Sequence, residues 1–210
     1  MRCEWQRAAF EAAARVIDDH AAVLTELDAA IGDGDHGTNL QRGFAAIRAQ
    51  VGELAEQPLS AALHKAGMTL VMTVGGASGP LYGSLLMAMG KAAAGADAFD
   101  AGLLQRMVAA GVAAVKARGR SDVGAKTMLD VLVPVERALD AAVAAGAPAA
   151  EIAARVRAAA DEGLEATRPM RATKGRASFL GERSIGHLDP GAMSSCLLVR
   201  EMCALIEAKP

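Results

Sequence analysis

Apolar residues recur along this chain at steps of three and four, the period of an α-helix, and they predict a series of helices. From Glu4 to Ile31 the stripe is Phe10, Ala13, Ala14, Ile17, Leu24, Leu27 and Ile31, with the polar run Asp18, Asp19, His20 as the place where it would break. A second helix is expected from near Gly37, carrying Leu40, Phe44, Ile47, Val51 and Leu54. Pro58 and Ser60 signal a third start, continued by Leu63, Gly67, Leu70, Val71 and Val74 to Gly75. Thr69 to Val74 is rich in β-branched residues and alone could pass as a strand, but the stripe before it favours helix. Leu81 to Ala93 is expected to be helical. Asp100 caps a helix bearing Leu103, Leu104, Met107, Val108, Val112 and Val115. Met128, Leu132, Val135, Leu139 and Val143 predict another, kinked at Pro134. After a turn at Gly146 to Pro148, Ile152, Val156, Ala160 and Leu164 form the next stripe. Pro190 suits a first helical turn, and Leu197, Leu198, Met202, Leu205 and Ile206 close the chain.

The pattern therefore predicts about eight helices, no convincing strand and one all-α domain over residues 1–210. Composition agrees: 52% of residues are apolar but only 3% are aromatic, and much of the apolar share is alanine, the best helix former. A formal net charge of -2, scattered arginines and few aromatics argue against nucleic acid as a partner. No apolar run is long enough to span a membrane, and Met1 to Phe10 lacks a signal-peptide core. Three cysteines, Cys3, Cys196 and Cys203, without a Cys-x-x-Cys pair, fit a reducing cytoplasm.

Four polar segments interrupt the helical pattern: 28–39, 75–80, 118–127 and 174–191. In an antiparallel bundle alternate connections share an end, so these four can gather there, where sites usually form. The first contains Asp28, Asp33 and Asp35 with Gly32 and Gly34 between them, and no lysine or arginine lies between Val16 and Gln41. Carboxylates that a flexible loop can turn toward one point suit a hard cation such as Mg²⁺ or Ca²⁺; the alternative is a polar turn that caps the next helix. An EF-hand does not fit, because counting from Asp33 the sixth place is Thr38 and the twelfth Phe44. His36 is a candidate base, phosphate contact or hydrogen-bonded partner of the carboxylates. Gly75 to Pro80 can bring backbone close to an anion at a helix start, or serve as a tight connection. Gly119 to Thr127 imitates a Walker loop, but Ala125 intrudes before Lys126 and no strand precedes it, so a P-loop is rejected. In the last segment Lys174, Arg176, Arg183, His187 and Asp189 stand among glycines; cations on a glycine-rich loop suit a phosphate ligand, and the alternative is a solvated loop. A cation held by aspartates beside glycine-rich and basic loops is the equipment of phosphoryl transfer.

These motifs also resemble a known family. Ile31-Gly-Asp-Gly-Asp-His-Gly37, Gly75-Gly-Ala-Ser-Gly-Pro-Leu81, Lys126-Thr-Met128, Gly175-Arg-Ala-Ser-Phe-Leu-Gly-Glu-Arg-Ser-Ile-Gly-His187 and Asp189-Pro-Gly191 resemble, in order, the nucleotide-binding L subunits of dihydroxyacetone kinases and the equivalent C-terminal domains of single-chain kinases. The resemblance implies a barrel of eight antiparallel helices with ADP or ATP at one end. It implies two Mg²⁺ ions on Asp28, Asp33 and Asp35. It implies nucleotide contacts from His36, Gly37, Thr38, Asn39, Ala77, Ser78, Gly119, Met128, Arg176, Asp189, Pro190 and Gly191. The three aspartates and Arg176 would serve the transfer itself. The acceptor would be a small ketose held on a separate K-type subunit. The donor would be ATP, or ADP rephosphorylated by an M-type phosphotransferase subunit fed by phosphoenolpyruvate. A homodimer is a further option. The chain departs from the family at Ala125, where aspartate is usual, and at Leu188, where a polar residue is common, so a different ketose such as a tetrulose is open. The other class of reading is a non-catalytic Mg²⁺-nucleotide module that regulates a partner.

Overall fold

A computed structural model describes residues 2–96 and 98–208. Its described residues form nine α-helices: α1 (Arg2–Ile31), α2 (His36–Arg48), α3 (Val51–Glu56), α4 (Leu59–Thr73), α5 (Ser78–Ala92), α6 (Ala101–Gly119), α7 (Leu129–Ala144), α8 (Ala149–Ala166) and α9 (Pro190–Glu207). A 3₁₀ segment, Arg176–Ser184, bends at Gly181. The predicted all-α class holds. No helix among the described residues is long and apolar enough to cross a membrane.

Each long helix packs on the next, and α9 returns to α1. The ring runs α1, α2, α4, α5, α6, α7, α8, α9, with α3 bracing α1 and α4 from outside the sequence of neighbours. Short connections make successive helices of the ring antiparallel as far as α8, and a long segment that holds the 3₁₀ turn joins α8 to α9. Two apolar clusters fill it. One is built around Ile17, Leu24, Leu40, Phe44, Leu70, Val112 and Leu129. The other lies among α7, α8 and α9 around Val131, Leu139, Ile152, Ala160 and Cys196.

Local chemistry explains the starts and stops. Asp100 accepts the Leu103 N–H at 2.7 Å and caps α6, as its position predicts. Pro190 occupies the first turn of α9, and Asp189 accepts the Ala192 N–H at 2.7 Å. The residues Thr69 to Thr73 are helical, and Val74 turns extended. Pro134 lies inside α7 without ending it. Its ring deprives the Asp130 carbonyl of a partner four residues on, and Gly163 of α8 packs there: a Cβ on Gly163 would stand 2.4 Å from that oxygen.

Three expectations are corrected. Helix α1 is unbroken at Asp18 to His20, since the two aspartates face outward and the His20 ring bonds the Val16 carbonyl at 2.9 Å. The stripe from Leu40 to Leu54 is carried by two helices, because the chain turns at Ala49 and Gln50 while keeping its helical phase. Gly119 ends α6 rather than lying in a loop; Arg120 follows in the left-handed region (φ 46°) and terminates the helix.

Candidate nucleotide and metal site

Asp28 sits in the last turn of α1 and is buried. Its Oδ2 accepts the backbone N–H groups of Asp35 at 2.9 Å and His36 at 3.1 Å. It thus caps α2 from seven residues upstream. Asp35, the positional cap, makes no capping bond with its own side chain. The carboxylates of Asp33 and Asp35 are left exposed. Ligand oxygens of all three aspartates lie within 4.8 Å of one another. Three hard oxygen donors at that spacing fit Mg²⁺ or Ca²⁺ by donor type. The turn depends on close approach: a Cβ on Gly32 would fall 2.1 Å from Asp28 Oδ1, and one on Gly37 would fall 2.0 Å from the Ala21 carbonyl of α1.

The four polar segments do meet. The His36 ring bonds Ser78 Oγ through Nδ1 at 3.0 Å and Ser194 Oγ through Nε2 at 3.0 Å, linking the first segment to α5 and α9. Burial holds the pKa of His36 below its ordinary value, with Asp28 and Asp35 opposing. Arg42 donates to Asn39 Oδ1 at 2.5 Å and to the Thr73 carbonyl at 2.8 Å, fastening the end of α4 beside the acidic turn. Gly75 lies against Asn39, where a Cβ would come within 2.9 Å of Oδ1. Ala77 precedes α5, whose first turn leaves the N–H groups of Ser78 and Gly79 without an intrahelical acceptor and so available to an anion; Pro80 has no N–H. Thr38 is exposed, and its hydroxyl donates to the Asp35 carbonyl at 2.9 Å. Arg176, at the start of the 3₁₀ segment, reaches Asp33 at 3.0 Å. Lys174, Arg183 and His187, read with Arg176 as cations of a phosphate-binding loop, form no ion pair with Asp28, Asp33 or Asp35 among the described residues.

On the other wall, Met128 begins α7 and Gly191 packs beside its backbone nitrogen. Gly119 lies against Leu81 of α5. Asp189 is buried, and desolvation pushes its carboxyl up to about 7, against the pull of the Ala192 N–H and of Lys126. An open groove of about 560 Å³ runs outside this wall, lined by Lys116, Arg120, Asp122, Ala125, Thr173 and Lys174. None of the three aspartates lines it.

Sequence reasoning missed the residues that hold this wall together. Lys126, read as a displaced Walker lysine and as the first residue of a family motif, is 1% exposed. Its ammonium donates to the carbonyls of His187 at 2.5 Å, Thr167 at 2.8 Å and Met170 at 3.2 Å. Asp130 accepts the N–H groups of Gly124 at 2.5 Å and Thr127 at 2.7 Å, and so shapes the 124–127 loop. Thr167 accepts the Asp189 N–H at 3.1 Å. The one available signal was Asp130, a carboxylate in the otherwise apolar first turn of the helix that follows that loop.

Known proteins share this arrangement of chain. The model of the DAK2 domain matches residues 30–204. A Listeria innocua protein named PEP-dependent dihydroxyacetone kinase 1, ADP-binding subunit DhaL, is 44% identical over 186 residues, covering 89% of this chain and 88% of that protein. The L-erythrulose 1-kinase of Mycolicibacterium smegmatis is 35% identical over 198 residues, 93% of this chain but 34% of the relative. Among solved structures, the dihydroxyacetone kinase from C. freundii in complex with AMP-PNP and Mg²⁺ superposes with a TM-score of 0.73 at 26% identity, over 95% of this chain and 33% of that one. The chain belongs to the DAK2 domain family.

Proposed function

We propose that this chain is the ADP-binding L subunit of a dihydroxyacetone-type kinase that draws its phosphoryl group from phosphoenolpyruvate. The observation that carries the reading is the convergence of Asp28, Asp33 and Asp35 at one end of a helical barrel, beside the starts of α5 and α9. The choice of donor rests on likeness: the chain is 44% identical to a relative named as a PEP-dependent, ADP-binding subunit, against 35% to the L-erythrulose 1-kinase and 26% to the dihydroxyacetone kinase of known structure.

In this reading the three aspartates hold two Mg²⁺ ions, which neutralise phosphate charge and align the transferred group when bound. The chain's own residues supply the rest. Asp28 holds the turn that presents Asp33 and Asp35. His36, Gly37, Thr38 and Asn39, with Ala77 and Ser78, frame the phosphates against two helix starts. Arg176 swings from Asp33 to phosphate oxygens, its 71% exposed side chain being free to do so. Gly119, Met128, Asp189, Pro190 and Gly191 form the wall for the rest of the nucleotide. The ketose sits on a K-type subunit, and an M-type subunit rephosphorylates the bound ADP. Cys196 and Cys203 are buried free thiols, in keeping with a reducing cytoplasm.

The test is reconstitution. The purified chain is titrated with Mg²⁺-ADP by calorimetry, then combined with K-type and M-type subunits, phosphoenolpyruvate and either dihydroxyacetone or erythrulose. Turnover that requires this chain is expected, and the faster ketose identifies the acceptor. A chain that binds no ADP in the presence of Mg²⁺, or binds it yet never turns over with competent partners, overturns the reading.

A further inference from the structure

Behind the acidic turn a chain of hydroxyls enters the barrel. Ser78 Oγ meets His36 Nδ1 at 3.0 Å, His36 Nε2 meets Ser194 Oγ at 3.0 Å, and Ser194 Oγ meets the Gly191 carbonyl at 3.1 Å. The Tyr82 hydroxyl lies 2.7 Å from Ser194 Oγ and 2.9 Å from Ser195 Oγ. His36, Tyr82, Ser194 and Ser195 are all buried, so water supplies no substitute partner.

Five bonds join these groups, and a neutral ring with four hydroxyls owns five hydrogens, one for each bond. The Gly191 carbonyl can only accept, so Ser194 spends its hydrogen there. Every other direction is then forced. Tyr82 and His36 Nε2 both donate to Ser194, Ser195 donates to Tyr82, and His36 Nδ1 carries no hydrogen and accepts from Ser78.

We propose that Ser194, its own hydrogen held by the Gly191 carbonyl, is a positioning residue that holds His36 as the Nε2–H tautomer, so that Ser78 turns its hydrogen inward and offers only oxygen lone pairs to the site. Such an oxygen repels a phosphate oxygen and welcomes a divalent cation or a water bound to it. Phosphate contacts at this corner then fall to the backbone N–H groups of α5, and the Ser78 side chain serves the cation. Ser194 does not touch the nucleotide in this arrangement; it acts through His36. The inference deepens the site proposed above and rests on that reading for its consequence in binding.

The experiment has two arms. Two-bond ¹H–¹⁵N spectra of the ligand-free chain read the tautomer directly, and a bare Nδ1 with a protonated Nε2 is expected for His36. Ser194→Ala is then compared with Ser195→Ala, whose loss leaves the bonds at His36 in place. In Ser194→Ala the His36 signals move toward a tautomer mixture and the Mg²⁺ concentration needed for half-maximal ADP binding rises about tenfold; Ser195→Ala changes neither. A wild-type ring protonated on Nδ1, or a Ser194→Ala chain with unaltered signals and Mg²⁺ requirement, overturns the proposal. If Ser194→Ala does not fold, the wild-type tautomer decides by itself. A wild-type chain that fails to bind Mg²⁺-ADP overturns the kinase reading instead, while the ligand-free spectrum still decides the tautomer.

Discussion

The acidic rim and the buried wall of this site use charge in opposite ways. At the rim, Asp33 and Asp35 are exposed, crowded by Asp28, and met by one exposed guanidinium from Arg176. At the wall, Lys126 is sealed in and spends its three donors on three carbonyls, while Asp130 and Asp189 accept backbone N–H groups. No buried side-chain nitrogen or oxygen among the described residues lacks a partner. The rim therefore holds charge that the fold does not use, which is what a ligand needs. The wall holds charge that the fold uses fully, so disturbing it costs structure first.

The strongest way to break this division is at the rim. Asp33→Asn and Asp35→Asn each remove an anionic ligand oxygen while keeping shape. Each should weaken Mg²⁺-ADP binding by at least ~100-fold, about 3 kcal/mol, and leave helical content intact by circular dichroism. Relief of like-charge crowding should hold or slightly raise the melting temperature of the ligand-free chain. Wild-type affinity in both variants would falsify the metal assignment. A matching loss of stability would erase the distinction between rim and wall.

The wall should answer the other way. Lys126→Met keeps length and removes the ammonium, leaving the Thr167, Met170 and His187 carbonyls without their shared donor. The expected loss is about 3 kcal/mol of unfolding free energy, read from urea curves of the ligand-free chain. A loss below about 1 kcal/mol would mean that water or backbone rearrangement replaces the ammonium, and that the wall is softer than its bonding implies.

The same contrast governs what the sequence disclosed. The rim is written locally: three aspartates in eight positions, with glycines between and no nearby cation, point to a cation site before any fold is known. Helices read equally well where one stripe serves one helix, as in α6 with its Asp100 cap. The break at Ala49 and Gln50 was hidden because a two-residue turn preserved the helical phase on both sides. The wall is nonlocal. His36 and Ser194 are 158 positions apart, and Lys126 meets carbonyls 41 to 61 positions away. A serine inside a helical stripe, or a lysine in a polar loop, looks like a solvated residue until its partners arrive from elsewhere in the ring. Family resemblance supplied Asp189, Met128 and Gly119 as nucleotide contacts, but the physical reason for Lys126 and Asp130 emerged only from packing.

A pH series sharpens the comparison further. Burial raises Asp189 to about 7 from an ordinary value of 3.8, so between those values the folded chain binds the proton more tightly than the unfolded one. Stability from this group is full below pH 3.8 and is lost as pH rises through about 7. Asp189→Asn keeps an acceptor for the Ala192 N–H and cannot ionise. Calorimetry of the ligand-free chains should show the wild type losing about 2 kcal/mol relative to Asp189→Asn between pH 5 and pH 8. Parallel curves would mean that Lys126 compensates the Asp189 charge completely.

The smallest stability effect, and the cleanest separation of the two regions, belongs to Arg176. Its pair with Asp33 is 3.0 Å long, yet the two side chains are 71% and 39% exposed. Water and salt screen such a pair, and ordering a long side chain costs entropy, so Arg176→Ala should change unfolding free energy by less than ~0.5 kcal/mol. Binding should respond differently. Phosphate oxygens compete for the guanidinium with a geometry that lets it donate twice, and the same variant should bind Mg²⁺-ADP about tenfold more weakly. The Asp33 carboxylate freed by the substitution then has one competitor fewer, so its metal affinity without nucleotide should hold or rise. A variant that melts early while binding ADP normally would place Arg176 with the wall, as a structural tie between the acidic turn and the 3₁₀ segment, and would remove it from the transfer machinery.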